Sequence, residues 1–471
     1  MSRRKAAGSR RRGKRTCRKQ RPQSRTPRQR KAAYRHPLAS AMFDLLGDLL
    51  QETQRVGKRG HKLLWTPLLV SFCAILMSWD PSPSLAARFD AAGLSLSLLL
   101  PEHNKGGTYQ GWIKALQQRN IDLHQRVADR LRQAIEQMAR EAGCWLREGW
   151  CALTADSSKF NCPRTAANEK AFGCASKKGK SQGLPQQLLT LLWHMGTGLP
   201  WAWATGDARA SERERLRSML PLLPIQSLLV ADAGFVGYEF LQAIANSQRH
   251  FLIRIGSNVA LLQKLGFYQE QQDTVYLWPS SSTHQKKPPM VLRLIRLQQP
   301  GKKTIYLLTN VLDPLQLSVQ SAQVLYTLRW GVEVFFRSLK QTLCRRKLLS
   351  DAPDNARQEL YWAVIGIAVL GALGVREILA AGKDPLSFSV ALALASVRHA
   401  ARSMLSAIGD LDLSAAVKDS YRRSRPKRSR NFPRRKRCKP PGRPRLRRAT
   451  KTEVKMAQKF HRESVVHQFT A

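Results

Sequence analysis

The sequence predicts a mixed α/β layer, preceded by an all-helical module and flanked by two basic, disordered tails. Three observations predict it. Positive charge is concentrated at the two ends of the chain. Apolar residues recur at three and four from Leu38 to about Arg140. From Trp150 onward the period becomes that of strands interleaved with helices. With 471 residues, 43% hydrophobic and 24% charged, the chain is long and apolar enough to bury one or two cores.

The ends come first. Lys plus Arg number 79 against 32 Asp plus Glu, a formal charge of +47. Residues 1–36 and 421–451 each hold 16 Lys/Arg and no acid, which leaves +15 on the other 404 residues. Such a chain seeks a polyanion. Nucleic acid is the default, because neutralised phosphates release condensed counterions, and an anionic membrane surface is the rival. The longest apolar runs, residues 63–79 and 361–375, fall short of the roughly 20 residues of a spanning helix. The first also carries Pro67 and two tryptophans, so both are expected as buried helices. The N-terminal tail lacks the apolar stretch of a signal peptide, and an intracellular protein is expected. The eight cysteines include no Cys-x-x-Cys pair, so free thiols are expected rather than a zinc site.

The basic tail over 1–36 gives way to a helical module over 37–145, punctuated by PSPS at 81–84 and PEHNKGG at 101–107. An α/β domain is expected over 146–420. It opens with WCALTAD, QQLLTLLWHM and WAWATGD, which read as a meander closed by a GTGLP turn. Ser211 with Glu214 forms a capping box for a short helix. IQSLLVAD is an apolar run of the kind that makes a buried central strand, and it ends at Asp232. A helix over 238–246 and a strand, HFLIRI, follow. Residues 257–312 carry short β-like pieces and read as a β-rich insertion. A long helix from about Ser318 to Leu343 and further apolar helix to about Leu411 lead to the second basic tail, 421–471.

The helix VLYTLRWGVEVFFRSLKQTL concentrates the chemistry. At about 100° per residue, Tyr326, Arg329, Glu333, Arg337 and Lys340 fall within one sector of about 80°. Leu328, Val332, Phe335 and Leu339 occupy the opposite side. Taken alone, the polar stripe reads as a solvated face with an i,i+4 pair between Arg329 and Glu333.

Tyr326, Arg329, Glu333 and Lys340 are spaced Y-x2-R-x3-E-x6-K. This spacing, with its neighbours RWGVEVFFRSLKQTL, resembles the YREK signature of the "family four" insertion-sequence transposases. The resemblance implies an RNase H-like core in which two aspartates and a glutamate hold two divalent metal ions. It maps the glutamate onto Glu333, the second aspartate onto Asp232 in VADAGF, and the first onto Asp156 in LTADSSKF, where Ser157 stands in place of the commoner glycine. An insertion between Asp232 and Glu333 is also what that family shows.

The implied function is Mg²⁺-dependent cleavage of element-end DNA and its transfer to a target, with Mn²⁺ able to substitute. The implied partners are the inverted-repeat ends and target DNA, bound by a homodimer that pairs two ends, at the nucleoid and not at a membrane. Two Mg²⁺ ions suit in-line displacement at phosphorus, and hard cations require oxygen ligands such as these carboxylates. Arg329, Arg337 and Lys340 are expected to grip phosphates, and Tyr326 the end DNA. In relatives a hairpin forms while a base is flipped onto an aromatic ring. Trp278 is the candidate here, with Trp201 and Trp203 as alternatives. In the C-terminal tail, Gly442, Arg443 and Pro444 resemble the core of an AT-hook, which makes Arg443 a candidate minor-groove contact. His194 and Asp207 read as packing and turn residues. The alternative function is a catalytically silent DNA-binding protein descended from such an enzyme.

Overall fold

A computed structural model describes residues 36–47, 65–101, 107–118, 120–174, 183–279, 281–284, 286–298, 300–301, 303–402, 411–418 and 441–469. The tails expected over residues 1–35 and 421–440 lie outside these. The helical module comprises α1 (Pro37–Leu46), α2 (Pro67–Trp79), α3 (Leu85–Leu99), α4 (Tyr109–Gln118) and α5 (Asn120–Glu141). Thr66 and Ser84 start α2 and α3 by accepting a hydrogen bond from the backbone N–H three residues on. Helix α2 is buried along its whole length, as its apolar run foretells.

The α/β layer follows as β1 (Ala152–Asn161), α6 (Ala166–Phe172), β2 (Gln186–His194), β3 (Leu199–Asp207), α7 (Glu212–Met219), β4 (Leu228–Ala231), α8 (Tyr238–Asn246) and β5 (His250–Ile255). The insertion supplies β6 (Ala260–Gln263), β7 (Thr274–Leu277), α9 (Ser281–His284), β8 (Met290–Leu297) and β9 (Ile305–Thr309). Then come α10 (Val319–Leu328), α11 (Trp330–Arg337), α12 (Pro353–Ala380), α13 (Val390–Ala400), β10 (Arg445–Arg448) and α14 (Lys451–Phe469).

All ten strands form one sheet in the order β10-β6-β7-β8-β9-β5-β4-β1-β2-β3. Strands β1, β2 and β3 are an antiparallel meander, β4 lies parallel to β1, and β5 parallel to β4. An order of 3-2-1-4-5 with these directions is the RNase H-like arrangement. The meander, the capped helix after Ser211, the buried strand before Asp232 and the strand HFLIRI all stand where the sequence puts them. The β-rich insertion is no separate lobe, because β9 pairs antiparallel with β5 and carries the same sheet outward.

Four features depart from the sequence reading. Helix α6 falls between the first two meander strands, where none was expected. The long helix after Ser318 is broken at Arg329 and ends in a π-turn over Ser338–Thr342. Of the C-terminal tail, residues 445–448 and 451–469 are a strand and a helix. Finally, the apolar run at 361–375 sits inside the 28-residue α12, the one helix among the described residues that is long and apolar enough to cross a membrane; 78% of its apolar window is buried inside the protein.

The helical module and the sheet share one continuous core, which runs from Leu38 through α12 to Ala416. Polar ties reinforce the seam. The Trp79 indole N–H donates to the Gly366 carbonyl at 2.9 Å, and Arg88 pairs with Glu359 at 3.4 Å, both largely buried. Arg345, only 1% exposed, donates to the carbonyls of Met77, Ser78 and Asp80 at the end of α2. A guanidinium there completes carbonyls that the helix cannot satisfy itself.

Removing that guanidinium strands several buried carbonyls, and hydrogen bonds to a charged group are each worth about 1.5–3 kcal/mol. We therefore expect Arg345→Met to lower stability by about 2–4 kcal/mol. Urea unfolding followed by tryptophan fluorescence and far-UV circular dichroism should still give one shared transition. Two separated transitions would show that the module and the sheet fold independently.

Candidate active site

The site begins with a register. Strands β1 and β4 pair in parallel with Ala152 opposite Leu228 and Thr154 opposite Val230. Two residues further along each chain come Asp156 and Asp232. Side chains repeat with period two, so both carboxylates project from the same face of neighbouring strands, roughly 5 Å apart along the hydrogen-bonding direction. Strand β4 is fully buried, which pins its register. It stops at Ala231, and Asp232 caps the turn that follows by accepting from the Ala233 N–H at 2.8 Å. Asp156 lies within β1 and accepts from the Ser157 N–H, also at 2.8 Å.

Helix α11 lies over β1 and β2 and brings Glu333 to this face. The close approach depends on Gly331, because a Cβ there would lie 2.2 Å from the Trp193 ring of β2. Val332, Phe335 and Phe336 are buried beside it. The charged stripe is thus not a solvated face. Arg329 is 7% exposed and Tyr326 is 9% exposed, while Arg337 alone of the five stands exposed. The Arg329 guanidinium donates to Glu333 Oε1 at 3.2 Å and sits 5.5 Å from the Tyr326 ring centroid. Its Nε–H is buried without a partner. The Tyr326 hydroxyl donates to Asp232 Oδ1 at 3.5 Å. Lys340, in the π-turn, donates to Ser158 Oγ at 2.7 Å, two residues beyond Asp156 on β1.

The electrostatics follow the crowding. Burial pushes the Asp156 carboxyl up to about 6; the charges of Glu333 and Glu212 add to the rise, while the Ser157 N–H and Arg329 oppose it. Burial likewise raises Glu333, against the pull of Arg329. For Arg329 burial works downward, but Tyr326, Asp232, Glu333 and Asp156 outweigh it and hold its pKa above the ordinary value. Burial lowers Lys340, helped by the positive charge of Arg346 and opposed by Asp156. One arginine therefore serves three carboxylates.

Oxygen donors of this kind suit a hard divalent cation, and two partly buried carboxylates with raised pKa values call for more positive charge than Arg329 supplies. As the side chains stand, no three His, Cys, Asp or Glu groups among the described residues are gathered closely enough to hold a metal ion. Glu333 is turned to Arg329 and Asp232 to Tyr326. The donor set fits the metal; Glu333 must leave its arginine to complete it.

Residues 151–368 match the family described as Transposase DDE domain. The chain carries a transposase DDE domain. Asp156, Asp232 and Glu333 all fall inside it. Transposase InsG for insertion sequence element IS4 of Escherichia coli (strain K12) is 28% identical over 229 residues, 46% of this chain and 51% of the relative. The y4zB protein of Sinorhizobium fredii is 27% identical over 211 residues, 43% of this chain and 56% of the relative. The matches thus span about half the length of each of these relatives. Among solved structures, the piggyBac transposase synaptic complex with hairpin DNA aligns over 81% of this chain and 83% of that one, with 12% identity and a TM-score of 0.39.

The remaining expected residues divide. Trp278 is 8% exposed, donates its N–H to the Lys287 carbonyl at 2.8 Å and packs against His284, the rings tilted by 33° with centroids 4.4 Å apart. Stacking on a base would require the His284 ring to move off it. Trp201 and Trp203 are buried in the core. Arg443 is exposed, but its neighbours are folded against the sheet edge, so the hook-like segment is not free to lie extended in a groove without detaching. His194 is a packing residue held by Thr197 and the Trp145 carbonyl, and Asp207 caps a turn.

Three participants escaped sequence reasoning. Arg254 on β5 lies by the Tyr326 hydroxyl and pulls its pKa down, against the rise that burial imposes. Its signal was visible, as a lone cation inside the apolar run HFLIRI. Glu212 reads in sequence only as a first-turn acid of α7, and Ser158 as an ordinary strand residue.

Two measurements test this geometry. Gly331→Ala should destabilise the chain by about 1–3 kcal/mol through overpacking, despite a helix-propensity gain of about 1 kcal/mol. Trp193→Leu should recover part of that loss in a double-mutant cycle, and strict additivity would show that the ring does not bear on Gly331. The second concerns pH. The Asp156 carboxyl titrates higher folded than unfolded, so folding is favoured below its unfolded pKa of 3.8 and loses stability as pH rises through about 6. In chelator, Asp156→Asn should raise the melting temperature at pH 7.5, and the gain should vanish by about pH 4. A gain equal at both pH values would locate the strain elsewhere.

Proposed function

We propose that the chain is a Mg²⁺-dependent DNA transposase that cuts at the ends of its own element and joins them to target DNA, acting as a homodimer on paired ends at the nucleoid. The observation that carries the reading is the β1–β4 register, which sets Asp156 beside Asp232 beneath a helix bearing Glu333 and a buried, incompletely bonded Arg329. Asp156, Asp232 and Glu333 would hold the metal ions. Two such ions supply activation of a water or 3′-hydroxyl and stabilisation of the leaving oxygen in an in-line displacement at phosphorus.

The protein groups divide the remaining work. Arg329 has an N–H to spare and a guanidinium fork that matches phosphate, so it can bind the scissile phosphate as Glu333 turns to its metal-binding role. Tyr326, held by Arg254 and Asp232, keeps the Asp232 carboxylate oriented. Lys340 reaches the same strand face at Ser158, and exposed Arg337 continues the basic line outward for backbone contacts. The helical module over 37–145 would help to recognise the element ends. Its single core with the catalytic layer means that DNA bound there has a fixed position relative to Asp156.

The test uses the inverted repeats that flank the gene, incubated with the full chain and Mg²⁺ and resolved on a denaturing gel. Cuts at the repeat ends that need the metal and vanish in Glu333→Ala, with binding of the ends retained, are the expected outcome. Lys340→Ala should weaken the complex with precleaved ends about tenfold, the worth of one charge-assisted hydrogen bond. Binding without cutting by the wild type would assign the chain to the catalytically silent DNA-binding reading instead.

A further inference from the structure

The last described residues make a folded clip on the far edge of the sheet. Strand β10 pairs in parallel with β6 from Arg445 opposite Ala260 to Arg448 opposite Gln263. Upstream, the Pro441 carbonyl accepts from the Ser257 backbone N–H at 2.7 Å and from its hydroxyl at 3.0 Å. The fit is close enough that a Cβ on Gly256 would lie 2.3 Å from Pro441. Downstream, Thr450 and Glu453 form a capping box that starts α14. Glu453 also takes both nitrogens of the Arg447 fork, and these hydrogen bonds draw its carboxyl down to about 2. Ala457 then closes a second small core with Leu262, Leu265, Tyr276 and Trp278.

This anchoring fixes a set of cations in place. Residues 441–461 carry seven Lys/Arg and one acid, and that acid is Glu453, already committed to Arg447. Lys451, Lys455 and Lys459 are exposed and share a helix sector of about 80° on the side opposite Ala457. Arg445 and Arg448 are exposed on the adjoining strand, and Arg443 is exposed just before it. None of these six has a carboxylate within ion-pair distance among the described residues. Like charges held at close range on a rigid frame repel one another, so the docked clip is at its most favourable with a polyanion against it. The clip also walls a cleft of about 720 Å³, through Arg447, Thr450 and Met456; the opposite wall is Val236, Gly237 and Tyr238, which begin four residues after Asp232. The cleft thus runs from the clip to the residues that follow Asp232 in sequence.

We propose that this docked clip is a duplex-DNA interface, with Lys451, Lys455, Lys459, Arg445 and Arg448 gripping the phosphate backbone of the DNA whose end lies at Asp156 and Asp232. The proposal rests on the DNA-processing reading above and adds to it a structured, positioned contact surface. Phosphate contacts of this kind set the orientation of a duplex and carry no sequence information. Because the frame is already folded, the contacts form without the cost of ordering a backbone, and only the side chains are immobilised on binding.

The experiment is the salt dependence of binding of the full chain to a duplex carrying one element end, followed by fluorescence anisotropy. The variant Lys451→Ala/Lys455→Ala/Lys459→Ala keeps all eleven Lys/Arg of residues 419–440, and alanine preserves the exposed helix. Each lost phosphate contact lowers the slope of log K against log salt by about 0.9, so the triple variant should lose between about 2 and 3. Arg445→Ala/Arg448→Ala should lose between about 1 and 2. Unchanged slopes in both variants, with wild-type binding intact, would overturn the proposal while leaving the DNA reading standing. A wild type that binds the duplex without salt dependence would sink both. Variants that lose binding to phosphatidylserine vesicles but not to DNA would assign the ridge to a lipid surface and overturn it as well.

Discussion

Two carboxylates on adjacent parallel strands, with a third brought to them by a helix, are the constraint around which the rest of this molecule is arranged. At roughly 5 Å in a medium of effective dielectric about 20, two negative charges repel by about 3 kcal/mol, before any cost of desolvation. One backbone N–H to each carboxylate and the charge of Arg329 offset part of that. The frame must hold them there, and the frame is the central pair β1 and β4, whose shared register is locked because β4 is wholly buried. Burial in that frame, with the charges of Glu333 and Glu212 added, raises the Asp156 pKa.

The same constraint accounts for features that look unrelated. Gly331 exists in its helix at the cost of propensity, yet it lets α11 sit on Trp193 and carry Glu333 to the strand face. The π-turn after Arg337 changes the angular step, so Lys340 meets Ser158 in spite of the shift from regular helix geometry. The helical module is joined to the sheet by one core and by the buried guanidinium of Arg345, which follows that turn by three residues. A site made of mutually repelling groups needs stiffness behind it, and here the stiffness reaches back to the first described helix.

Much of this was legible in the sequence, for identifiable reasons. The strands around Asp156 and Asp232 announce themselves because buried strands are apolar runs, and the spacing of Tyr326, Arg329, Glu333 and Lys340 follows from helix geometry. What stayed hidden depends on contacts remote in sequence. The polar face of the signature helix reads as solvated until the sheet is seen to cover Arg329. Glu212 bears on Asp156 only because α7 packs where it does. The clip at Arg445–Arg448 reads as a disordered tail because its composition is basic, and its fixity comes from an edge strand nearly two hundred residues earlier. Composition reports what a segment can bury; it does not report what another segment leaves open for it to pair with.

Arg329 joins these threads. In the resting chain it is the counter-ion of three acids, paired with Glu333 and adding its charge against the repulsion between Asp156 and Asp232. On the proposed reading the same guanidinium binds the scissile phosphate, and it cannot give its fork to both partners at once. The exchange is electrostatically balanced, because the divalent cations that would draw Glu333 away also supply the positive charge that Arg329 withdraws. Its unpartnered Nε–H marks the direction in which the arginine has bonding capacity to give. A guanidinium that neutralises an acidic cluster in the fold and, on the proposed reading, binds the substrate phosphate would make fold stability and affinity for DNA two uses of one charge.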